Sequence, residues 1–215
     1  LGVSSGAGLG AVIAIITGFA ARTMYSLPLF ATGGALAAVS AIYLLSVRKG
    51  KIPVLTLVLS GLAISTFISA ITSAILTHIN DYQLKYFVFW TMGSLNGRMW
   101  EHVRMIVFPL LVSMVLLYFF SRDLNIMLLG EEESQSVGLN PSSLRKQLLV
   151  LTSITTATAV SVTGPISFVG LIVPHILRLI VGPDHRVLMP ASALGGALFL
   201  VCCDIISRMF PSGEI

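Results

Sequence analysis

Ser121 to Lys146 reads SRDLNIMLLGEEESQSVGLNPSSLRK, a polar stretch in a chain otherwise apolar at lengths that suit a lipid bilayer. Leu124 to Leu129 is an apolar run that Gly130 breaks. Glu131-Glu132-Glu133 follows, placed as the acidic first turn of a short helix. Ser134-Gln135-Ser136-Val137 completes that helix, and Gly138 suits its C-terminal cap. Asn140-Pro141-Ser142-Ser143 starts a second helix, because proline is tolerated in a first turn. The pattern predicts two short helices joined at a glycine between membrane spans. Such a unit can be a docking knob for a soluble partner, and an ordinary solvated loop fits the same polarity.

Working outward, composition sets the class. The 215 residues are 55% hydrophobic and 10% charged, where a soluble domain carries about 25% charged residues. The apolar segments recur along the whole chain, so a cleaved leader does not account for them. An all-α, polytopic membrane protein is expected. The net charge of +4 is spread out, without the basic cluster or aromatic interleaving that nucleic-acid binding needs. Cys202 and Cys203 are adjacent in an apolar segment, point in different directions from a helix, and are read as packing residues. Leu1 is not a start methionine, and Pro211 to Ile215 reads as the approach to another element. The chain is therefore expected to be an internal piece of a longer protein, a single incomplete transmembrane domain (1–215) with 124–146 as its polar loop.

Membrane segments are expected at 7–21, 28–47, 52–77, 103–120, 147–163, 166–181 and 187–209, from runs of apolar residues near the length a bilayer requires. Gly6, Gly8 and Gly10 leave the first with a side-chain-free patch. In the third, Ser65, Ser69, Thr72 and Ser73 fall close to one helical face and are candidates for lining a wet path. Between the third and fourth, Tyr82, Tyr86, Phe87, Phe89, Trp90 and Trp100 mark residues 78–100 as interfacial, since these rings favour the headgroup level. Pro109 is expected to kink the fourth segment. Alternating sides puts Arg48, Lys49, Lys51, Arg122, Arg145, Lys146, Arg178 and Arg186 on one face. Arg22, Lys85, Arg98, Arg104 and Arg208 fall on the other, a smaller group, so the polar loop is expected on the cytoplasmic side. Two short or Gly/Pro-broken segments, 6–21 and 166–181, would cross in opposite senses, the pointer to an inverted-repeat transporter.

Enzymatic chemistry finds little support. No G-x-x-x-x-G-K-[ST] phosphate loop occurs, and no H-E-x-x-H or paired-cysteine motif offers a metal site. His78, His102, His175 and His185 lie in different segments and are read as structural. Gly2-Val3-Ser4-Ser5-Gly6 has the letters of a nucleophile elbow without its strand–turn–helix setting. Asp204 and Arg208 are spaced i, i+4, which allows an ion pair on one helix face; Arg208 is also placed to offer its charge to a partner. No catalytic residue, metal or cofactor is expected.

One stretch is more specific than any of these. Gly164-Pro165-Ile166-Ser167-Phe168-Val169-Gly170-Leu171-Ile172-Val173-Pro174-His175-Ile176-Leu177-Arg178 is followed by Gly182, Asp184-His185-Arg186, Pro190 and Asp204-x-x-x-Arg208. Leu1-Gly2-Val3-Ser4-Ser5-Gly6-Ala7, Trp90-x-Met92-Gly93-Ser94-Leu95, and Leu129-Gly130-Glu131 with Ser136-x-Gly138-Leu139 add to it. In this order and spacing the chain resembles the permease subunits of ATP-binding-cassette importers for iron-siderophores, haem and cobalamin, the FecCD-type permeases.

The resemblance implies a transmembrane bundle of the type II importer kind, of which this chain lacks the first two helices and the last. It implies a multi-pass protein of the bacterial or archaeal cytoplasmic (inner) membrane that pairs with a second permease copy, as homodimer or with a homologue. It implies a separate ATPase subunit on the cytoplasmic side and a substrate-binding protein outside, with no enzymatic site in the permease. By position, Leu129, Gly130, Glu131, Ser134, Val137, Gly138 and Leu139 match the family's ATPase-coupling helices. Val54, Leu55 and Thr56 match its cytoplasmic gate, where an apolar constriction can close by dewetting. Arg208 matches a basic residue near the external mouth that pairs with the binding protein. An iron chelate, siderophore or haem, is the expected cargo from the Phe89-to-Leu95 stretch. Cobalamin and, in another class, an ion-driven secondary carrier are the alternatives.

Overall fold

The computed structural model describes residues 2–47 and 52–209. The basic turn Arg48-Lys49-Gly50-Lys51 and the last residues, 210–215, lie outside them. The described chain is helical: α1 (Val3–Ile16), α2 (Ser26–Ser46), α3 (Val54–Leu76), α4 (Asp81–Met92), α5 (Trp100–Phe119), α6 (Ser121–Met127), α7 (Glu131–Ser136), α8 (Pro141–Thr163), α9 (Val169–Val181) and α10 (His185–Met209). Of these, α2, α3, α5 and α10 are long and apolar enough to cross a membrane by length and composition. The backbone groups into two compact units, Leu1–Leu117 with Asn140–Pro165, and Tyr118–Leu139 with Ile166–Ile215.

The first unit is built on the contact between α1 and α2. A Cβ at Gly6 would stand 2.5 Å from the carbonyl oxygen of Gly34 and 2.6 Å from the Ala38 Cβ, and one at Gly10 would strike the Phe30 carbonyl. Glycine at these two positions lets the backbones touch, and Ala7, Ala11, Ala31 and Ala35 are fully buried beside them. Gly8, two residues from each, lies off that face and would meet nothing within 4 Å. The glycine patch is therefore real at two of its three positions. The first helix also starts earlier than its apolar run, at Val3, with Gly2 as its left-handed N-cap (φ 79°). Val3-Ser4-Ser5-Gly6 is thus helical, which rules out the geometry of an elbow.

One end of this unit collects the starts of α3 and α8. The Arg145 guanidinium donates to the Ile52 carbonyl at 3.1 Å, and the Lys146 ammonium lies 5.5 Å from the centre of the Tyr43 ring near the end of α2. Mid-span, Thr155 of α8 donates to Ser113 of α5 at 2.8 Å, and Ser113 donates in turn to the Leu110 carbonyl at 3.0 Å, so the pair is satisfied within the helices.

Residues 78–100, expected as an interfacial segment, contain a full helix, α4, capped by the Asn80 side chain accepting from the Gln83 amide at 2.9 Å. Phe87 and Trp90 are core residues of the first unit rather than headgroup anchors, packed in the cluster that includes Ala157 and Val160 of α8. Tyr82, Phe89 and Trp100 remain exposed, as interfacial rings would. Beyond α4, Ser94 donates its amide to the Thr163 carbonyl at 2.8 Å, and a Cβ on Gly164 would meet Trp90 and Gly93 backbone atoms. Two separate stretches that carried the resemblance therefore touch.

In the second unit α9 packs on α10, with a Cβ at Gly195 reaching within 2.8 Å of Leu177. Pro174 and Pro190 sit inside these helices and Pro109 inside α5; none ends its helix. Cys202 and Cys203, expected as packing residues, are both exposed: α10 shows that face to whatever surrounds the unit.

Candidate coupling unit and pathway residues

The polar loop is structured throughout its described length. It differs from expectation in one respect. The two short helices joined at a glycine are α6 and α7, meeting at Gly130, whereas the helix opened by Asn140-Pro141 runs on without a break as the long α8. Asn140 caps it, its side chain accepting from the Ser143 amide at 3.1 Å.

Gly130 is the N-cap of α7 at φ 117°, a conformation L side chains rarely adopt. Glu131, Glu132 and Glu133 occupy the first turn, where the helix dipole favours negative charge. At the other end Gly138 has φ 90° and donates to the Gln135 carbonyl at 2.9 Å, and Leu139 donates to the Ser134 carbonyl at 3.0 Å. This pair of bonds is a Schellman cap, which satisfies the carbonyls a helix end leaves open.

Ser134 sets the fold of the unit. Its side chain is fully buried, and its hydroxyl shares its proton between the carbonyls of Gly130 and Ile126, tying α7 onto α6. Ser134 thus supports the surface rather than forming it. Leu128, Leu129 and Val137 are 56%, 66% and 68% exposed, flanking the three glutamates.

Sequence reasoning missed Asn125. Its side-chain amide donates to Asp184 Oδ1 at 2.6 Å, and its oxygen accepts from the His185 amide at 2.9 Å and lies 2.8 Å from His185 Nδ1. Asp184 Oδ1 also accepts from the Arg186 amide at 2.9 Å. That backbone bond, and then the one from Asn125, holds the Asp184 carboxyl below the usual carboxylate range. No local pattern marks Asn125, since its partners lie 59 and 60 residues away.

The other candidates fall as follows. Val54 and Leu55 are exposed, Thr56 is half-buried, and all three stand in the first turn of α3. Val54 lines a cleft of about 460 Å³ together with Ser4, Leu57, Arg145, Leu149 and Thr152. Ser65 and Thr72 return their hydroxyls to the preceding turn, to Gly61 at 2.6 Å and Ile68 at 2.9 Å. Ser69 and Ser73 are exposed on the same stretch of α3. Arg208 Nε pairs with Asp204 Oδ2 at 2.8 Å, the i, i+4 bridge the spacing allowed. His78, His102 and His185 each hydrogen-bond a neighbouring backbone or side-chain group, as structural histidines do.

An all-helical chain with several membrane-length spans and a capped polar helical loop has the build of a transporter's membrane subunit. The profile of the FecCD transport family matches residues 1–215, and the chain belongs to that family. It is 40% identical over 208 residues to a cobalamin import system permease protein, BtuC, of Halobacterium salinarum, a match covering 97% of this chain and 56% of that protein. It is 37% identical over 212 residues to the hemin transport system permease protein HmuU of Yersinia pestis, covering 97% and 63%. A solved structure described as an inward-facing conformation of an ABC transporter assigned to the metal-chelate type superposes with a TM-score of 0.91 at 31% identity. That match covers 100% of this chain and 68% of the other. The chain therefore spans about three fifths of the length of the curated permeases it matches.

Proposed function

We propose that this chain is the membrane part of a permease subunit of an ATP-binding-cassette importer, moving a bulky metal chelate into the cytoplasm. The observation that carries the reading is the α6–α7 unit, capped at both ends and pinned by buried Ser134. A rigid protrusion transmits the motion of a separate motor, where a slack loop would dissipate it. Leu129, Gly130, Glu131, Val137, Gly138 and Leu139 form or shape the face offered to the ATPase. Val54, Leu55 and Thr56 act as the cytoplasmic gate, closing against the same residues of a second permease copy. Ser65, Ser69, Thr72 and Ser73 line the path, and Arg208 meets an external binding protein. The setting is the bacterial or archaeal cytoplasmic membrane.

Iron held by a siderophore or in haem is the first reading of the cargo, and the likeness to a hemin permease supports it. Cobalamin is the second, favoured by the higher identity to a cobalamin permease. Both are large metal chelates. The test is reconstitution of the full-length protein with its ATPase and binding protein in vesicles, following uptake of labelled ferric siderophore, haem and cobalamin. ATP-dependent uptake of one of them is expected. Uptake that ignores ATP and collapses with the ion gradient would mean a secondary carrier instead.

A further inference from the structure

The importer reading leaves open how a push on α7 reaches the helices that do not adjoin it in sequence. Along the chain, α7 continues through α6 into α5 and through residues 137–140 into α8. The hairpin of α9 and α10 is farther off, beyond the whole of α8 and residues 164–168. In space the order is different. Residues Tyr118–Leu139 share one compact unit with Ile166–Ile215, so α6 and α7 belong with α9 and α10.

Asn125 makes that connection. Its amide donates to Asp184, and its oxygen faces both the main-chain and ring nitrogens of His185. Asp184 in turn starts α10, its carbonyl accepting from Val187 at 3.1 Å and Leu188 at 2.8 Å, and its carboxylate from Arg186. Leu188, one turn in, is buried. On the other side, Ser134 holds α7 to α6. Hydrogen bonds from Ser134 to the Ile126 carbonyl, the single peptide step from Ile126 to Asn125 in α6, and the bonds of the Asn125 side chain therefore lead from α7 to the first turn of α10. Both donor and acceptor of one short side chain are engaged at once. If the amide turns, it loses its bonds to both Asp184 and His185.

We infer that Asn125 is a positioning residue that makes the α6–α7 protrusion and the α9–α10 hairpin move as one body. Motion imposed by the ATPase then enters α10 at its N-terminus through this clasp. The inference rests on the importer reading above.

The test uses the full-length permease with its ATPase and binding protein in vesicles, scoring substrate taken up per ATP hydrolysed. Asn125→Ala should lower that ratio by about ten-fold, near the lower end of coupling between sites, while the complex still assembles and hydrolyses ATP. His185→Ala, which leaves the Asn125–Asp184 bond, should lower it less, and the double variant should add little to Asn125→Ala. A purely structural role would instead depress assembly and hydrolysis together. In a background with Cys202 and Cys203 replaced by serine, a short thiol cross-link between Asn125→Cys and His185→Cys should restore the ratio. Cross-linking that blocks uptake would mean the two elements must part during the cycle, and would overturn the inference, as would an unchanged ratio in Asn125→Ala. If the unaltered protein shows no ATP-driven uptake, the importer reading itself fails and the clasp's role in coupling goes with it.

Discussion

The buried hydroxyl of Ser134 donates to the main-chain oxygen of Ile126, eight residues earlier, at 3.1 Å. This contact turns two short helices, neither stable alone, into one object. Ser134→Ala removes the hydroxyl that links α7 to α6, leaving the Gly130 and Ile126 carbonyls only their amide donors, Ser134 and Leu129, and a hydrogen bond of this kind contributes about 1 kcal/mol net. The expected outcome is faster amide exchange at Gly138 and Leu139 with the rest of the chain unaltered. Exchange unchanged there would show that the caps alone hold α7.

The face presented by α7 should be sensitive to charge and to its cap. Reversing Glu131, Glu132 and Glu133 to lysine places positive charge where the helix dipole disfavours it, costing about 0.3–1 kcal/mol per residue. Gly138→Pro removes the amide that bonds Gln135 and demands a negative φ where the chain has 90°. Both variants should remain in the membrane and lose coupling between ATP hydrolysis and uptake. Full transport in either would count against α7 as the ATPase contact.

Packing of α1 on α2 gives a clean contrast. Gly10→Val drives a branched side chain into the Phe30 carbonyl, whereas Gly8→Ala adds a methyl with open space around it. Overpacking of this sort costs about 1–3 kcal/mol. Thermal unfolding in detergent should therefore fall clearly for the first and barely move for the second, and equal effects would refute the close approach.

Arg208 should matter for recognition and not for stability. The residue is 56% exposed, and exposed ion pairs contribute about 0–1 kcal/mol. Arg208→Glu should leave unfolding nearly unchanged while weakening capture of the binding protein at low salt, with the difference shrinking as ionic strength rises. A salt-independent loss would place Arg208 elsewhere than at that docking face.

The Asp184 carboxyl has a pH signature. Its pKa is lowered in the folded state, by the Arg186 amide first and Asn125 second. A depressed carboxylate contributes stability that is present above its ordinary pKa, about 3.9, and is lost as pH falls through the folded value beneath it. Amide protection at the start of α10 should therefore differ between the unaltered chain and Asp184→Asn from neutral pH down to about 5. The difference should close below about 4. A difference that grows on acidification would mean the clasp does not hold the charged form.

Much of this was legible from residue order. Gly138, the three glutamates before it and Asn140-Pro141 are local signals, and each became the predicted cap or first turn, while Gly130, expected only to break the apolar run, also caps α7. The i, i+4 spacing of Asp204 and Arg208 became an ion pair for the same reason. Helix α4 was not legible, because its aromatic residues read equally as membrane-surface anchors; burial of Phe87 and Trp90 is a property of what packs on them. The unbroken run of α8 was obscured by its polar first turns, which resembled the end of a loop.

The sequence by itself determined that the chain is helical and membrane-embedded, that the polar loop's helices end at Gly138 and begin at Asn140, and to which family it is similar, since these depend on composition and on neighbours within a turn or two. Only the tertiary structure decided that Gly6 and Gly10 face α2 while Gly8 does not, and that Ser134 points inward. It alone joined Asn125 to Asp184 and His185. Contacts across some sixty residues leave no periodicity to read: they exist only once the helices between them have packed and fixed which faces meet.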